Sequence, residues 1–258
     1  MTTSLFDDII FGPVQSRRLG KSLGVNVLSP EAKICNFDCI YCECGWTNLA
    51  RTTHKFADPK EVEKELELKL SILASVDCKL DYITFAGNGE PTLHPHFEKI
   101  VGNTIELKDR YMPQTKVALL SNATTLRKRS IQKSLEMLDK CILKLDAGTE
   151  EVFELINSPL SRNNFNSICN DFKRLKSDFS IQSMFLKGEV NGKRVDNTQE
   201  DVVNAWIQKL LEIKPKDVML YSIARATPLN SIQKVSKKEL KVISKKLKAS
   251  GLTSFVSA

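Results

Sequence analysis

Strand-like apolar runs and amphipathic helical stretches alternate along almost the whole chain, and this alternation constrains the fold more than any other feature. Residues 22–28 (SLGVNVL), 82–86, 116–120, 141–145, 181–186 and 217–223 read as six short strands. Between them lie segments whose apolar residues recur at helical spacing. Asp58, Pro59 and Glu61 supply an N-cap, a first-turn proline and a third-position acid, followed by the stripe Val62, Leu66, Leu70 and Leu73. A second helix is expected from about Pro95, and a third around Ile131, Leu135 and Leu138. Further helical segments start at Glu150 and Asn164. Thr198 reads as the cap of a helix with Val203, Trp206, Ile207, Leu210 and Leu211 on its buried side. Ser236, with Glu239 three residues on, opens a last helix over about 236–250, ended by Gly251. Six β/α units mean a parallel sheet with helices packed outside it. Right-handed crossovers then favour an open or partial barrel, since six units fall short of the closed eight-stranded form. The whole chain, 1–258, reads as one domain. In such folds, sites gather where loops leave the C-terminal ends of the strands.

The loop after the first of these strands carries Cys35, Cys39 and Cys42, spaced C-x3-C-x2-C. Thiolates this dense are soft ligands, suited to iron–sulfur clusters, zinc or Cu(I). Closed structural sites usually take four protein ligands, so three leave one metal corner open for chemistry. The chain has seven cysteines, an odd number, and its first eight residues lack the pattern of a secretory signal. Metal binding or catalysis in a reducing cytosol is therefore a better reading than a disulfide scaffold. No run approaches the length of a membrane span. Cys78, Cys141 and Cys169 are scattered and read as small buried hydrophobes. Cys44 is close enough to complete a four-thiolate zinc site, although one residue between Cys42 and Cys44 is tighter than the usual two to four.

The other strand ends carry polar groups. Gly87-Asn88-Gly89-Glu90 lets backbone come close to a ligand and offers a carboxylate for a cation. Ser121 and Asn122 suit ribose hydroxyls or a carboxylate, or else cap the third helix. Lys144 and Asp146 share one strand face as an inward pair of opposite charge, and Asp146 is the better candidate for a ligand contact. Arg225 after the sixth strand, with Arg17 and Arg18 before the first, can clamp an anion. His94 and His96 flank Pro95 without further ligands and read as loop structure. The formal net charge is +7, and lysines crowd the last helix. They form either a solvated face or a phosphate-backbone footprint for RNA.

The cysteine loop, with Tyr41 in the penultimate place, resembles the signature of the radical S-adenosylmethionine (SAM) enzymes. Asn88-Gly89-Glu90 resembles the "GGE" turn of that superfamily, with Asn in place of the first Gly. Together with Phe11-Gly12-Pro13, Ser16-Arg17-Arg18-Leu19-Gly20 and Leu145-Asp146-Ala147-Gly148, these motifs resemble one subgroup. It comprises compact iron–sulfur oxidoreductases grouped distantly with wyosine-base tRNA synthases.

The resemblance implies a partial (β/α)6 barrel with a core over about 11–228, and a [4Fe–4S] cluster on Cys35, Cys39 and Cys42. It also implies SAM on the open iron, cleaved reductively to a 5′-deoxyadenosyl radical that abstracts hydrogen. Tyr41 would lie near adenine. Asn88, Gly89 and Glu90 would hold the methionine moiety, and Ser121, Asn122 and Asp146 the ribose or carboxylate. A flavodoxin or ferredoxin-like protein would donate the electron. The substrate is either a tRNA base or a small anionic metabolite held by Arg17, Arg18 and Arg225. A zinc-stabilised nucleic-acid-binding module is the alternative from another class.

Overall fold

The computed structural model describes residues 5–48, 55–160 and 164–257. All six expected strands form: β2 (Gly20–Val25), β3 (Tyr82–Phe85), β4 (Lys116–Ser121), β5 (Lys140–Lys144), β6 (Ser180–Val190) and β8 (Asp217–Ser222). They pair in parallel in that order, so each unit adds its strand beside the one before. β1 (Ile10–Ser16) adds an antiparallel strand to the β2 edge, and β10 (Ser254–Ser257) a parallel one to β8. β7 (Lys193–Asp196) and β9 (Ile232–Lys234) pair antiparallel with the long end of β6, beyond the barrel. Among the described residues β1 and β10 do not pair, so the sheet stays open. Its curl nevertheless brings the β1–β2 turn across to the far strands. Arg18 donates to Gln182 Oε1 on β6, and its guanidinium stands 5.0 Å from the Tyr221 ring centroid on β8.

The helices α1 (Pro59–Ser75), α2 (Phe97–Tyr111), α3 (Arg129–Met137), α4 (Glu150–Asn157), α5 (Phe165–Lys173), α6 (Glu200–Ile213) and α7 (Lys237–Ala249) cover the outer face. In α1 the expected stripe Val62, Leu66, Leu70 and Leu73 is the buried face, and Asp58 accepts from Lys60 N as its cap. Burying each such side chain contributes about 1.5–3 kcal/mol. α7 opens with a capping box between Ser236 and Glu239.

The structure departs from the sequence reading at element ends and edges. β1 lies outside the six expected strands, and its register shifts between Phe11 and Val14, where Pro13 has no N–H for the ladder. Thr198 does not cap α6: its hydroxyl donates to Asp196 Oδ1 at 2.6 Å, and Gln199 takes the cap position. Leu211 lies on the exposed side of α6. Leu138 follows α3 as its C-cap, and α2 begins two residues after Pro95. Among the described residues no helix is long and apolar enough to cross a membrane.

Candidate active site

The segment from β2 to α1 is too rich in turns to form a regular element, and neighbouring strand and helix ends hold its cysteine half in place. Ile34 N donates to Asn88 O at 2.8 Å and Glu90 N to Ile34 O at 2.9 Å, a short parallel bridge between the cysteine loop and the turn after β3. That approach needs Gly89, since a Cβ there would stand 1.9 Å from Ile34 O in a backbone with φ +137°. At Gly87, φ +152°, a Cβ would meet Asn26 Oδ1 at 2.4 Å. On the other side, Asp38 N and Ile40 N donate to Ser158 O and Ile156 O, both at 3.0 Å, tying the loop to the end of α4. Lys33 closes the loop from within, donating to Asp38 Oδ1 and Gly45 O, both at 2.8 Å. Burial acts to lower the Lys33 pKa, but Cys42 and Asp38 outweigh it and the net shift is upward.

Cys35, Cys39 and Cys42 line one cavity of about 190 Å³, with Gly89, Glu90, Ser121, Asn122 and Lys144 on its other walls. Nitrogen donors face the sulfurs. Phe37 N lies 3.4 Å from Cys35 Sγ, Asn122 Nδ2 3.7 Å from the same sulfur, and Asn157 Nδ2 3.4 Å from Cys39 Sγ. Burial first, then Cys39, pushes the Cys35 thiol up to about 12, and burial raises Cys39 likewise. Hydrogen bonding from Cys44 leads the opposite shift at Cys42, down to about 6, against burial and with help from Lys33. Buried thiols at a neutral pH are poor ligands until a metal charge replaces the proton. Three thiols, N–H donors to sulfur and two nearby lysines therefore suit an anionic thiolate-bound cluster. A single ion fits less well: among the described residues no three His, Cys, Asp or Glu side chains stand close enough to share one metal. Irons of a cluster take their thiolates separately, so its ligands stand further apart. Cys44 borders the same cavity and is hydrogen-bonded to Cys42, with its sulfur 3.6 Å from Gly87 O.

Glu90 is buried and fully engaged. Oε1 accepts from Thr92 N at 3.1 Å, Thr92 Oγ1 at 2.5 Å and Ser121 Oγ at 2.8 Å, while Oε2 accepts from Asn122 N at 2.5 Å. The carboxylate thus clasps the ends of β3 and β4 together. Burial raises its pKa even against these four donors. Ser121 and Asn122 do not cap α3, which starts at Arg129 with Lys128 before it. Asn122 instead holds Asn36 Oδ1 at 2.7 Å and accepts from Thr124 N.

Asn88 and Asp146 stand behind the cavity wall. The Asn88 amide straps the N-terminal segment, bonding Phe6 N and Phe6 O at 2.8 Å each, and donates to Ser29 O at 2.9 Å. Asp146 accepts from the Tyr41 hydroxyl, Asn157 Nδ2 at 2.9 Å and Met184 N at 2.8 Å, with Lys144 Nζ 3.8 Å away. The expected inward Lys144–Asp146 pair is present. Tyr41 lines the cavity with its ring, and burial followed by Asp146 raises its pKa well above the usual value. His94 bonds Ala57 O at 3.0 Å and takes the His96 N–H on its other nitrogen, as loop structure. Cys141 and Cys169 are buried, whereas Cys78 is half-buried with Lys21 Nζ 3.1 Å from its sulfur.

A larger cavity of about 510 Å³ adjoins the first and shares Cys44, Ala86, Gly87 and Leu120 with it. Arg17, Arg18 and Arg225, from the two ends of the sheet, meet on its walls. Sequence reasoning missed Lys33, Asn157, Gln182 and Tyr221. For the last two, strand alternation was the available signal; Asn157 and Lys33 reach the site through loop geometry that no spacing encodes.

Residues 32–200 match the family model described as the radical SAM superfamily. The chain belongs to the radical SAM superfamily. That superfamily is one of enzymes that use SAM and an iron–sulfur cluster. Over 93% of its length the chain is 31% identical to a Brachyspira hyodysenteriae protein named GTPase Obg, and covers 33% of that protein. Over 60% of its length it is 35% identical to a UPF0026 protein of Helicobacter pylori, covering 47% of it. The chain therefore spans only a third to a half of these curated relatives. Among solved structures, a radical SAM methyltransferase from Sphaerobacter thermophilus superposes with a TM-score of 0.64 at 12% identity, over 91% of this chain and 65% of that one. Archaeal TYW1 superposes with 0.54 at 13% identity, over 88% and 71%. At such identities the likeness concerns the fold.

Proposed function

We propose that this radical SAM protein holds a [4Fe–4S] cluster on Cys35, Cys39 and Cys42 and cleaves SAM reductively to act on a C–H bond of a separate substrate. The observation that carries the reading is the convergence of the three motif thiols on one cavity, which Cys44 also borders, with N–H donors at two of the motif sulfurs. When bound, the cluster and SAM supply an electron, a broken sulfonium bond and a 5′-deoxyadenosyl radical that takes hydrogen from the substrate.

The protein's own residues do the positioning. Gly89 gives backbone access at the cavity wall, where a side chain would fill the space against the loop. Glu90 fixes that turn to Ser121 and Asn122, so the three methionine- and ribose-facing candidates move as one unit. Asn157 ties Cys39 to Asp146, and Asp146 in turn orients Tyr41 and Lys144. Asn88 keeps the N-terminal segment over the larger cavity, which helps exclude water from it. A flavodoxin or ferredoxin-like donor and a cytoplasmic setting belong to this proposal.

The test is anaerobic reconstitution with iron and sulfide, followed by assay of 5′-deoxyadenosine and methionine from SAM under dithionite. Formation of both in a cysteine-dependent manner is expected. No cleavage by a protein carrying its full iron complement would reject the reading.

A further inference from the structure

The larger cavity has a chemical character of its own, and the functional reading above leaves it without an occupant. Its volume, about 510 Å³, falls in the range of metabolite sites, roughly 300–1,000 Å³. Among the described residues three arginines line it against a single carboxylate, Glu43. They come from distant places: Arg17 and Arg18 from the β1–β2 turn, Arg225 from the loop after β8. No local helical or strand periodicity groups them. Only the curl of the sheet does.

Arg18 is preset. Among the described residues one Nη donates to Gln182 Oε1 and the plane rests over Tyr221, 5.0 Å from its centroid. A guanidinium carries five N–H groups in a fixed fork, so most remain for a ligand. Arg225 donates to Glu43 Oε2 at 2.8 Å, and both side chains are largely exposed, 69% and 41%. An exposed pair of this kind is weak and readily exchanged for a better anion. The lining also has an apolar part: Phe6 and Phe11 stack with centroids 3.9 Å apart. The shared wall at Cys44 and Gly87 places this space directly beside the cysteine cavity.

We propose that the Arg17–Arg18–Arg225 cavity is the substrate site, and that it takes a small organic anion, a carboxylate or phosphate on a partly apolar body. This inference rests on the radical SAM reading for the word substrate, and on the cavity alone for the anion. Arg18 is the fixed prong of the clamp. Arg225 is the displaceable one: it leaves Glu43 when the anion arrives. The apolar wall receives the remainder of the molecule, whose reacting carbon then faces the cysteine cavity. A cleft of this size fits a metabolite-sized anion, and no lysine of α7 is among the residues that line it.

Titration calorimetry on the reconstituted holoenzyme tests this, with citrate and pyrophosphate as the two probes and SAM measured on the same samples. At least one probe should bind. Arg18→Ala, and separately the double variant Arg17→Ala/Arg225→Ala, should weaken it tenfold or more while SAM affinity stays within twofold. Glu43→Gln should bind the probe two- to fivefold more tightly, a gain that misfolding cannot imitate. Lys238→Ala/Lys241→Ala should change nothing. Failure of both probes to bind overturns the proposal, as does equal weakening of SAM in the arginine variants, which would assign these groups to the SAM carboxylate. Binding of tRNA in place of both probes, lost in the arginine variants, overturns it in favour of a nucleic acid. Probe binding without SAM binding would sustain the anion site and defeat the radical SAM reading instead, so the two fail separately.

Discussion

Replacing Glu90 by Gln separates a clasp from a free ligand group. In the protein, Glu90 accepts four hydrogen bonds, three at Oε1 and one at Oε2 from Asn122 N. A glutamine can place its carbonyl where Oε1 stands and keep the three bonds there, but its amide NH2 then confronts the Asn122 N–H. One charge-assisted bond is lost, worth about 1.5–3 kcal/mol, and a buried donor is left without an acceptor. Removing a fully buried charge offsets part of this, because burial raises the Glu90 pKa despite its donors. The net expected loss is about 2 kcal/mol, or roughly 4–8 °C in Tm for a chain of this size. Differential scanning calorimetry of the SAM-free protein reads it directly. Ser121→Ala should destabilise in the same direction and add little on top of Glu90→Gln, since both act through one network. A Tm within 1 °C of wild type for Glu90→Gln would refute the clasp and return Glu90 to the role of a free carboxylate.

Three further outcomes follow from the same geometry. Ala at Cys35, Cys39 or Cys42 should each reduce iron after reconstitution from about four per chain to a small fraction, while Cys44→Ser retains it, as iron and sulfide analysis will show. Leu66→Ala in the buried stripe of α1 should cost about 2–5 kcal/mol by denaturant unfolding, because the side chain is fully enclosed. Glu239 is held down to about 2 by hydrogen bonds first from Lys187 and then from Ser236, against an ordinary 4.5. A depressed carboxyl stabilises above its unfolded pKa and loses that stabilisation as pH falls through its folded one. The Tm gap between wild type and Glu239→Gln should therefore be present at pH 6 and close between about pH 4.5 and 2. Both partners of the Lys187 pair are partly exposed, so the gap is at most about 1 kcal/mol.

The parallel core was legible because its strands are apolar runs and its helices carry clean stripes. Val62, Leu66, Leu70 and Leu73 needed no tertiary information. The edges were less so: β1 is interrupted by Gly12-Pro13, and β7 and β9 exist because β6 runs past the barrel and offers both its sides. At the site, the cysteine spacing and the Gly87–Glu90 turn located the cavity from local sequence alone. What each carboxylate does was not visible in sequence, since Glu90 takes donors from Ser121, 31 residues away, and Asp146 from Met184, 38 residues away. Arg17, Arg18 and Arg225 were individually readable as anion binders. That they face one cavity depends on how far the sheet curls, which no motif states.

The central claim is three protein thiolates on a four-iron cluster with one iron left for SAM. Electron paramagnetic resonance of the dithionite-reduced, reconstituted protein, recorded with and without SAM, tests it most directly. The account predicts a reduced-cluster signal from about four irons per chain whose g-values shift when SAM is added, and no such signal in the Cys39→Ala protein. A cluster signal indifferent to SAM, or stoichiometric zinc with no signal, would contradict it.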